Sequence, residues 1–184
     1  MQHFKTKQLA LAAMFTAITA AAAQILVPLG FTPVPFTLSL VAVYLTGALL
    51  NKKCALLSLV VYVLLGTAGA PIFAGFAGGL HKIAGPTGGY IIAYPLMAVV
   101  IAYLREKWGS GFWKYCISML IALVLCYTIG TIQLLFITKA DLLNGLMMAV
   151  FPFIPLDLVK IALSAWLAVL LDKALMHAHI SLHD

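Results

Sequence analysis

The sequence predicts an all-α integral membrane protein with six transmembrane helices and a structured, glycine-rich loop between helices 3 and 4. Hydrophobic residues make up 64% of the 184 residues, and charged residues make up only 9%. Soluble domains contain about 25% charged residues, so this composition is typical of a chain that is surrounded by lipid. The apolar residues also fall into separate segments joined by short polar links. The length is that of one domain, which we expect to include residues 1–184.

Six apolar segments define the predicted helices. They lie near residues 8–27, 36–50, 54–66, 90–104, 115–137 and 151–171. A helix needs about 20 residues to cross the hydrocarbon core, and tilt or local thinning of the bilayer accommodates shorter segments. The first segment follows two lysines and so resembles a secretory signal peptide. Because it continues to Val27 and the chain after it is also apolar, we predict a first transmembrane helix.

The basic residues predict how the chain is oriented. If the chain crosses six times, one side holds eight of them: Lys5, Lys7, Lys52, Lys53, Arg105, Lys107, Lys114 and Lys173. The opposite side holds Lys82 and Lys139, and Lys160 lies within the sixth segment. Lys and Arg are enriched in cytoplasmic loops. We therefore predict a protein of the cytoplasmic membrane with both termini in the cytoplasm.

Several functional classes are excluded by the motifs that the sequence lacks. It contains no G-x-x-x-x-G-K-[ST], G-x-S-x-G or H-E-x-x-H, so we expect neither ATP hydrolysis by this chain nor enzymatic activity. The net charge of +6 is divided among short clusters, unlike the continuous basic face of a nucleic-acid-binding protein. The cysteines form no C-x-x-C pair, and the histidines of the tail "HAHISLHD" are interpreted as a solvated helix end. No metal or cofactor is expected.

Two charged residues lie inside the last segment, in "FPFIPLDLVKIALSAWLA". Pro152 and Pro155 prevent a helix from running through them, so we expect a helix to begin near Pro155. Asp157 then lies in the first turn, where the helix dipole favours an anion, and Lys160 shares its face. Such charges in a membrane segment face a cavity or a partner. The pair either fixes helix packing or is presented to a polar ligand.

The link between the first two segments reads "VPLGFTPVPFTLSL". Its prolines, Pro28, Pro33 and Pro35, keep the backbone extended. Thr37 and Ser39 then supply hydroxyl groups where the second segment opens. These hydroxyls either cap the helix or contact a ligand.

The run "GTAGAPIFAGFAGGLHKIAGPTGGY" contains eight glycines between Gly66 and Gly89. Non-helical backbone at membrane depth persists only where protein or a water-filled cavity covers it, and glycine lets a backbone approach a ligand closely. The sequence Pro86-Thr87-Gly88-Gly89 favours a turn. Aromatic and polar side chains alternate with the glycines: Phe73, Phe76, His81, Lys82 and Tyr90. We interpret the run as a structured lid or re-entrant segment rather than a flexible connection.

Alanines form a stripe along the first segment. Ala10, Ala13, Ala17 and Ala21 recur at spacings of three and four residues, and small side chains let helices approach closely in lipid. The stripe either packs inside the protein or docks another membrane subunit.

Three of these motifs, "VPFTLSL", "GAPIFAGFAGGLHKIAGPTGGY" and "PFIPLDLVK", occur in the order and spacing of the BioY family, which the chain resembles over nearly its whole length. These proteins are the biotin-binding S components of energy-coupling factor (ECF) transporters. The resemblance implies high-affinity capture of biotin at the outer face, with a membrane T subunit and two cytoplasmic ATPases supplying the energy, although some members are reported to work alone. It also implies docking on the T subunit through an A-x-x-x-A motif, which Ala13 and Ala17 match. An S component or carrier for another vitamin is the alternative.

The resemblance to a biotin-binding protein assigns expected roles to the residues singled out above. Asp157 is expected to accept hydrogen bonds from the ureido N–H groups, or to be held by Lys160 while a loop group does so. Either Lys160 or Lys82 would neutralise the carboxylate. The remaining predicted contacts are aromatic packing, weaker hydrogen bonds and close backbone approach in the lid: Tyr90, Phe73, Thr37, Thr87 and Gly88. Two positions depart from the family pattern, since Ser39 stands in place of a glutamine and Gln133 in place of a tryptophan, which puts the contacts of segments two and five in doubt.

Overall fold

The computed structural model describes residues 6–27, 30, 32 and 34–177, and this part of the chain is almost entirely helical. The helices are α1 (Thr6–Gln24), α2 (Ser39–Leu49), α3 (Lys52–Thr67), α4 (Leu80–Ile83), α5 (Gly88–Trp108), α6 (Phe112–Thr138), α7 (Leu142–Ala149) and α8 (Ile154–His177). Four of them, α1, α5, α6 and α8, are long and apolar enough to cross a membrane. The all-α membrane class is therefore confirmed. Each predicted segment overlaps one helix, whereas α4 and α7 were not predicted.

A short antiparallel ladder interrupts the helical pattern between α1 and α2. Strand β1 (Leu26–Val27) pairs with β2 (Phe36–Thr37), with Leu26 opposite Thr37. The extended backbone favoured by Pro35 agrees with this pairing, while Pro28 and Pro33 lie outside the described residues. The ladder returns the chain to the end of α1, so that Phe36 and Thr37 lie where the candidate site is found.

Small residues allow the helices of the bundle to approach closely. Helix α5 lies at the centre, where it packs against α2, α3 and α6. Gly47 of α2 meets α5 so closely that a Cβ there would lie 2.8 Å from the carbonyl oxygen of Ala98. Alanines are fully buried at other crossings, among them Ala48, Ala55, Ala93 and Ala122. Such surfaces maximise van der Waals contact between helices that no hydrophobic force brings together in lipid.

Charged contacts join several helix ends at one end of the bundle. Lys52 Nζ at the start of α3 lies 2.8 Å from Glu106 Oε2 near the end of α5. Arg105 is buried, and its Nη1 donates to the Ala48 carbonyl at the end of α2 with a distance of 2.7 Å. The links α2–α3 and α5–α6, which carry five of the eight basic residues assigned to one side, thus meet at the same end.

Helix α8 is longer than the sixth predicted segment. That segment was expected to end near residue 171, but α8 continues to His177, and the Asp172 side chain is buried within the bundle. The hydroxyl of Tyr115, at the start of α6, donates a hydrogen bond to its Oδ2. A buried carboxylate with a partner does not interrupt a helix, which is why the apolar pattern underestimated the length of α8.

The two faces of α1 have different environments. Phe15 and Thr16 face the bundle, and the Thr16 hydroxyl donates to the Ser58 carbonyl of α3 at 2.8 Å. The stripe lies on the opposite side, where all four of its alanines are exposed, Ala10, Ala13, Ala17 and Ala21. The interpretation of the stripe as internal packing is therefore wrong.

Candidate ligand-binding site

The candidate site is built around the first turn of α8. This helix begins at Ile154, as predicted from Pro155, and Asp157 lies in its first turn. Lys160 Nζ is 2.9 Å from Asp157 Oδ1, and the two side chains are only 6% and 2% exposed. The predicted ion pair on one helical face is thus confirmed. Because both side chains are buried, each charge needs the other as its partner, since a buried charge without a partner is very unfavourable.

Two aromatic residues from other elements complete the surroundings of the ion pair. The hydroxyl of Tyr127, on α6, donates to Asp157 Oδ2 at 2.7 Å. Lys160 Nζ lies 3.8 Å from the centre of the Phe36 ring, a cation–π contact with β2. The Lys160 ammonium thus occupies the Oδ1 side of the carboxylate and Tyr127 the Oδ2 side. Among the described residues, the nearby buried Tyr44 hydroxyl has no hydrogen-bond partner.

A cavity opens beside the ion pair. The empty space within it, including space open to the surroundings, is about 430 Å³. Its walls come from the β2 region, α2, α5, α6, α7 and α8: Val34, Pro35, Phe36, Thr37, Leu40, Tyr90, Tyr94, Cys126, Tyr127, Ala149, Phe153, Asp157 and Lys160. Most of this surface is apolar or aromatic, so its few polar atoms would fix the orientation of a ligand.

A second cavity adjoins the first. The two share Val34, Pro35, Thr37, Tyr90 and Tyr94 in their linings. The second is further lined by residues of α1, α2, α3, the glycine-rich segment and α5: Ala23, Ser39, Tyr62, Ala74, Thr87 and Ile91. Among the described residues, no Lys, Arg, Asp or Glu lines it. Because the two cavities share part of their walls, we treat them as one elongated site with the ion pair at one end.

Hydroxyl groups form a buried chain between the two cavities. Thr37 Oγ1 and Ser39 Oγ are 2.6 Å apart, and Ser39 Oγ is 2.8 Å from the Tyr94 hydroxyl. Neither Thr37 nor Ser39 caps α2, whose N-cap position is Leu38 without a side-chain hydrogen bond. The capping interpretation is therefore wrong, because both hydroxyls are used within the site.

The structure brings five of the predicted contact residues to these cavities. Asp157, Lys160, Tyr90 and Thr37 line the first, and Thr87 joins Tyr90 and Thr37 around the second. Their roles toward a ligand stay predictions.

The other three predicted contacts line neither of these cavities. The Phe73 ring is buried against Tyr62, with ring centres 5.5 Å apart. Lys82 is a half-buried residue of α4. Gly88 is not part of a turn but the first residue of α5, and a Cβ there would overlap the carbonyl oxygen of Ile83. This glycine is thus required by the contact between α4 and α5, whatever its role toward a ligand.

The two positions that depart from the family pattern have different surroundings. Ser39 lies in the second cavity, as described above. Gln133 lines neither cavity, and its Nε2 donates to the carbonyls of Ile83 and Gly85 at 2.6 and 2.9 Å. Gln133 therefore fastens α6 to the end of α4.

Sequence reasoning missed several tyrosines of the site. Tyr94 lies four residues after Tyr90 on the same helical face, so the spacing could have identified it. Tyr62 stacks on Tyr94 with ring centres 6.3 Å apart, and Tyr127 contacts Asp157. Both lie within apolar segments, where nothing in the local sequence distinguishes them.

Comparison with known proteins gives consistent results. A family model described as the BioY family matches residues 1–177. A protein named biotin transporter BioY from Thermotoga maritima is 40% identical over 167 residues, which cover 91% of this chain and 96% of that protein. A probable biotin transporter BioY from Pyrococcus horikoshii is 42% identical over 164 residues, with coverages of 89% and 95%.

A solved structure is also similar. It is a crystal structure of the S component for biotin from an ECF-type ABC transporter. The TM-score is 0.86 at 27% sequence identity, and the superposition covers 93% of this chain and 95% of that chain. The similarity thus extends over the arrangement of the helices as well as the sequence.

Proposed function

Because the chain belongs to the BioY family, we propose that it takes up biotin as the substrate-binding S component of an ECF transporter. The relatives named above are transporters and not enzymes, and biotin is then the transported ligand rather than a cofactor. The observation that carries the proposal is the buried Asp157–Lys160 pair at one end of an elongated aromatic site. Biotin has the matching shape, with a polar ureido ring, an apolar thioether ring and a carboxylate on a flexible tail.

Charge balance favours placing the ureido ring at the ion pair. Asp157 and Lys160 already neutralise each other, so a biotin carboxylate at this position would leave one uncompensated buried charge. A ureido group adds no charge, and it matches the pair because Asp157 accepts from its N–H and Lys160 donates to its C=O. Tyr90 and Thr37 would then contact the bicycle.

The carboxylate would in this arrangement point toward the second cavity and the glycine-rich segment. We propose that this segment acts as a lid whose residues Phe73, Thr87 and Gly88 lie close to the bound molecule. Lys82 would approach the carboxylate when the lid adjusts to the ligand. The lid is supported by the positions of Ala74 and Thr87 in the wall of the second cavity.

The finer architecture is also part of this proposal. Residues 1–184 form one transmembrane domain in which α1, α2, α3, α5, α6 and α8 cross the cytoplasmic membrane. The basic end of the bundle and both termini lie in the cytoplasm, and the site opens toward the outside. The partners are a membrane T subunit and two cytoplasmic ATPases, with which the exposed Ala13 and Ala17 of α1 would make contact. A protein that functions without them would keep the same biotin site.

Isothermal titration of the purified protein with biotin and with biotin amide tests the proposal. We expect wild-type protein to bind biotin with a Kd well below about 1 µM. Lys82→Ala should lower the affinity for biotin more than the affinity for biotin amide. Lys160→Ala should lower both affinities to a similar extent, because the two ligands have the same ureido ring. Absence of binding below about 1 µM would exclude biotin and favour another vitamin. If Lys160→Ala alone abolishes the preference for biotin over biotin amide, the biotin carboxylate and not the ureido ring lies at the ion pair.

A further inference from the structure

The side chain of Gln24, the last residue of α1, is bonded to the glycine-rich segment. Its Oε1 accepts from the Phe76 N–H at 2.7 Å, and its Nε2 lies 3.2 Å from the carbonyl oxygens of both Ile72 and Phe73. The oxygen faces an N–H group and the nitrogen faces carbonyls, so the amide can make these contacts in one orientation only. A single side chain thus joins α1 to backbone groups of residues 72–76.

These backbone groups belong to a tight turn. Phe73 N–H donates to the Ala77 carbonyl at 2.9 Å, and Ala77 N–H donates back to the Phe73 carbonyl at 3.2 Å. Within the turn, Gly75 and Phe76 have φ angles of +73° and +53°. Left-handed backbone at the non-glycine residue Phe76 is unfavourable by itself, so contacts from outside the turn help to maintain it.

The turn closes one wall of the second cavity. Ala74 lines this cavity, and the neighbouring Phe73 ring is buried against Tyr62, which lines it as well. Gln24 lines neither of the two cavities described, and its hydrogen bonds to the turn connect it to the cavity wall at Ala74. A displacement of the turn would open the cavity on this side.

We infer that Gln24 is a positioning residue that holds the 72–77 turn over the site and so slows the escape of bound biotin. This inference rests on the proposed function, since the molecule retained is biotin. Gln24 acts on the lifetime of the complex rather than on recognition of the ligand. Its loss changes the dissociation rate more than the order of preference among ligands.

The test measures the dissociation of radiolabelled biotin from the full-length protein after addition of excess unlabelled biotin. Gln24→Met keeps the length of the side chain and removes its hydrogen bonds to the turn, so we expect dissociation to become about tenfold faster. Thr16→Val is the matched control, because it removes a hydrogen bond from the same helix to the backbone of another element, the Ser58 carbonyl of α3, and neither Thr16 nor Ser58 lines a described cavity. Its dissociation rate should stay within about threefold of wild type.

A second variant keeps the experiment decisive if Gln24→Met does not fold. Gln24→Glu preserves the acceptor for the Phe76 N–H, but it places an oxygen against the carbonyls of Ile72 and Phe73. We expect faster dissociation here too, together with faster amide hydrogen exchange in peptides that contain residues 72–77. Dissociation within twofold of wild type in the folded Gln24 variants overturns the inference, as does an equal acceleration in Thr16→Val.

A failure of the proposed function can be distinguished from a failure of this inference. Wild-type protein that does not bind biotin contradicts that function, and the role of Gln24 is then decided by hydrogen exchange in the unliganded protein. Loss of protection at residues 72–77 in the Gln24 variants, but not in Thr16→Val, supports the positioning role. Unchanged protection overturns it.

Discussion

At the scale of single residues, the ion pair of α8 has both a structural and a ligand-binding aspect. Lys160 and Asp157 neutralise each other inside the bundle, and Tyr127 and Phe36 hold them from two further elements. These contacts give both carboxylate oxygens a partner and so stabilise the packing of α8. Asp157 and Lys160 also line the first cavity, where a polar ligand can contact them.

A double substitution separates the two aspects of the ion pair. Lys160→Met leaves a buried carboxylate without its cation, so we expect the free energy of unfolding to fall by about 3–5 kcal/mol. Adding Asp157→Asn removes the remaining charge and should restore most of this stability, because neutral groups of similar size replace the pair. Biotin binding should be lost in the single and in the double variant. Thermal unfolding and isothermal titration in the same detergent measure the two effects.

The outcome distinguishes the two interpretations that the sequence left open. Biotin affinity that returns together with stability in the double variant would show that the pair acts only through packing. Tyr127→Phe is a useful control, since it removes one hydrogen bond to Asp157 and keeps the charges and the ring. It should reduce affinity without the large loss of stability expected for Lys160→Met.

The site could be predicted from the sequence only in part, and the reason is physical. A charge in an apolar segment is costly, so Asp157 and Lys160 are conspicuous, and Pro155 places them in the first turn of a helix. Tyr127 is 30 positions away on α6, and an aromatic residue in a membrane helix needs no special explanation. Contacts of this kind depend on how helices cross, which local patterns do not specify.

At the scale of helices and loops, the length of an element determines whether it can be predicted from the sequence. The long helices α1, α5, α6 and α8 follow from hydropathy, because a chain in lipid must satisfy its backbone groups within each segment. The four residues of α4 and the eight of α7 are too short to show a periodic pattern. The ladder of β1 and β2 has two residues in each strand, so alternation cannot be recognised there. Proline content indicated an extended chain but not its pairing.

Helix α1 supports a prediction about assembly. Its exposed alanines form a smooth surface on the side opposite the bundle, and such surfaces allow another helix to approach closely. We expect the double change Ala13→Leu and Ala17→Leu to reduce recovery of the T subunit at least tenfold in a pulldown from detergent-solubilised membranes. Biotin binding by the isolated variant should be unchanged, because neither alanine lines the site.

Ala162→Leu provides the matched control for this prediction. Ala162 is an exposed alanine of α8, so the substitution adds the same bulk to a different outer face. It should leave recovery of the T subunit intact. Undiminished recovery from the α1 double variant would show that docking uses another surface.

At the scale of the whole molecule, the two ends of the bundle differ in chemistry. One end contains Arg105 and Asp172 together with the exposed Lys52–Glu106 contact. The opposite end contains the cavities and the Asp157–Lys160 pair. Lys5 lies outside the described residues. The remaining seven basic residues assigned to the cytoplasm lie within five residues of a helix end: Lys7, Lys52, Lys53, Arg105, Lys107, Lys114 and Lys173. This asymmetry is the basis of the proposed orientation.

Cysteine labelling in membrane vesicles tests that orientation. Lys139 and Lys107 are both exposed, at the end of α6 and near the end of α5. Lys139→Cys should react with a membrane-impermeant maleimide in right-side-out vesicles, and Lys107→Cys should react only in inside-out vesicles. The native cysteines are buried or half-buried, so the wild-type protein gives the background.

The reverse labelling pattern would place the biotin site on the cytoplasmic side, which is incompatible with uptake. If both positions react from the same side, Lys107 and Lys139 lie on the same side of the membrane, and α6 does not span the bilayer. The expected pattern instead requires α6 to cross once, which agrees with its 27 residues and about 1.5 Å of rise per residue. Because Thr131 and Gln133, near the end of α6, contact Tyr90 and the end of α4, labelling of Lys139 from outside would also place the mouth of the site outside. A single crossing therefore fixes the side from which biotin enters.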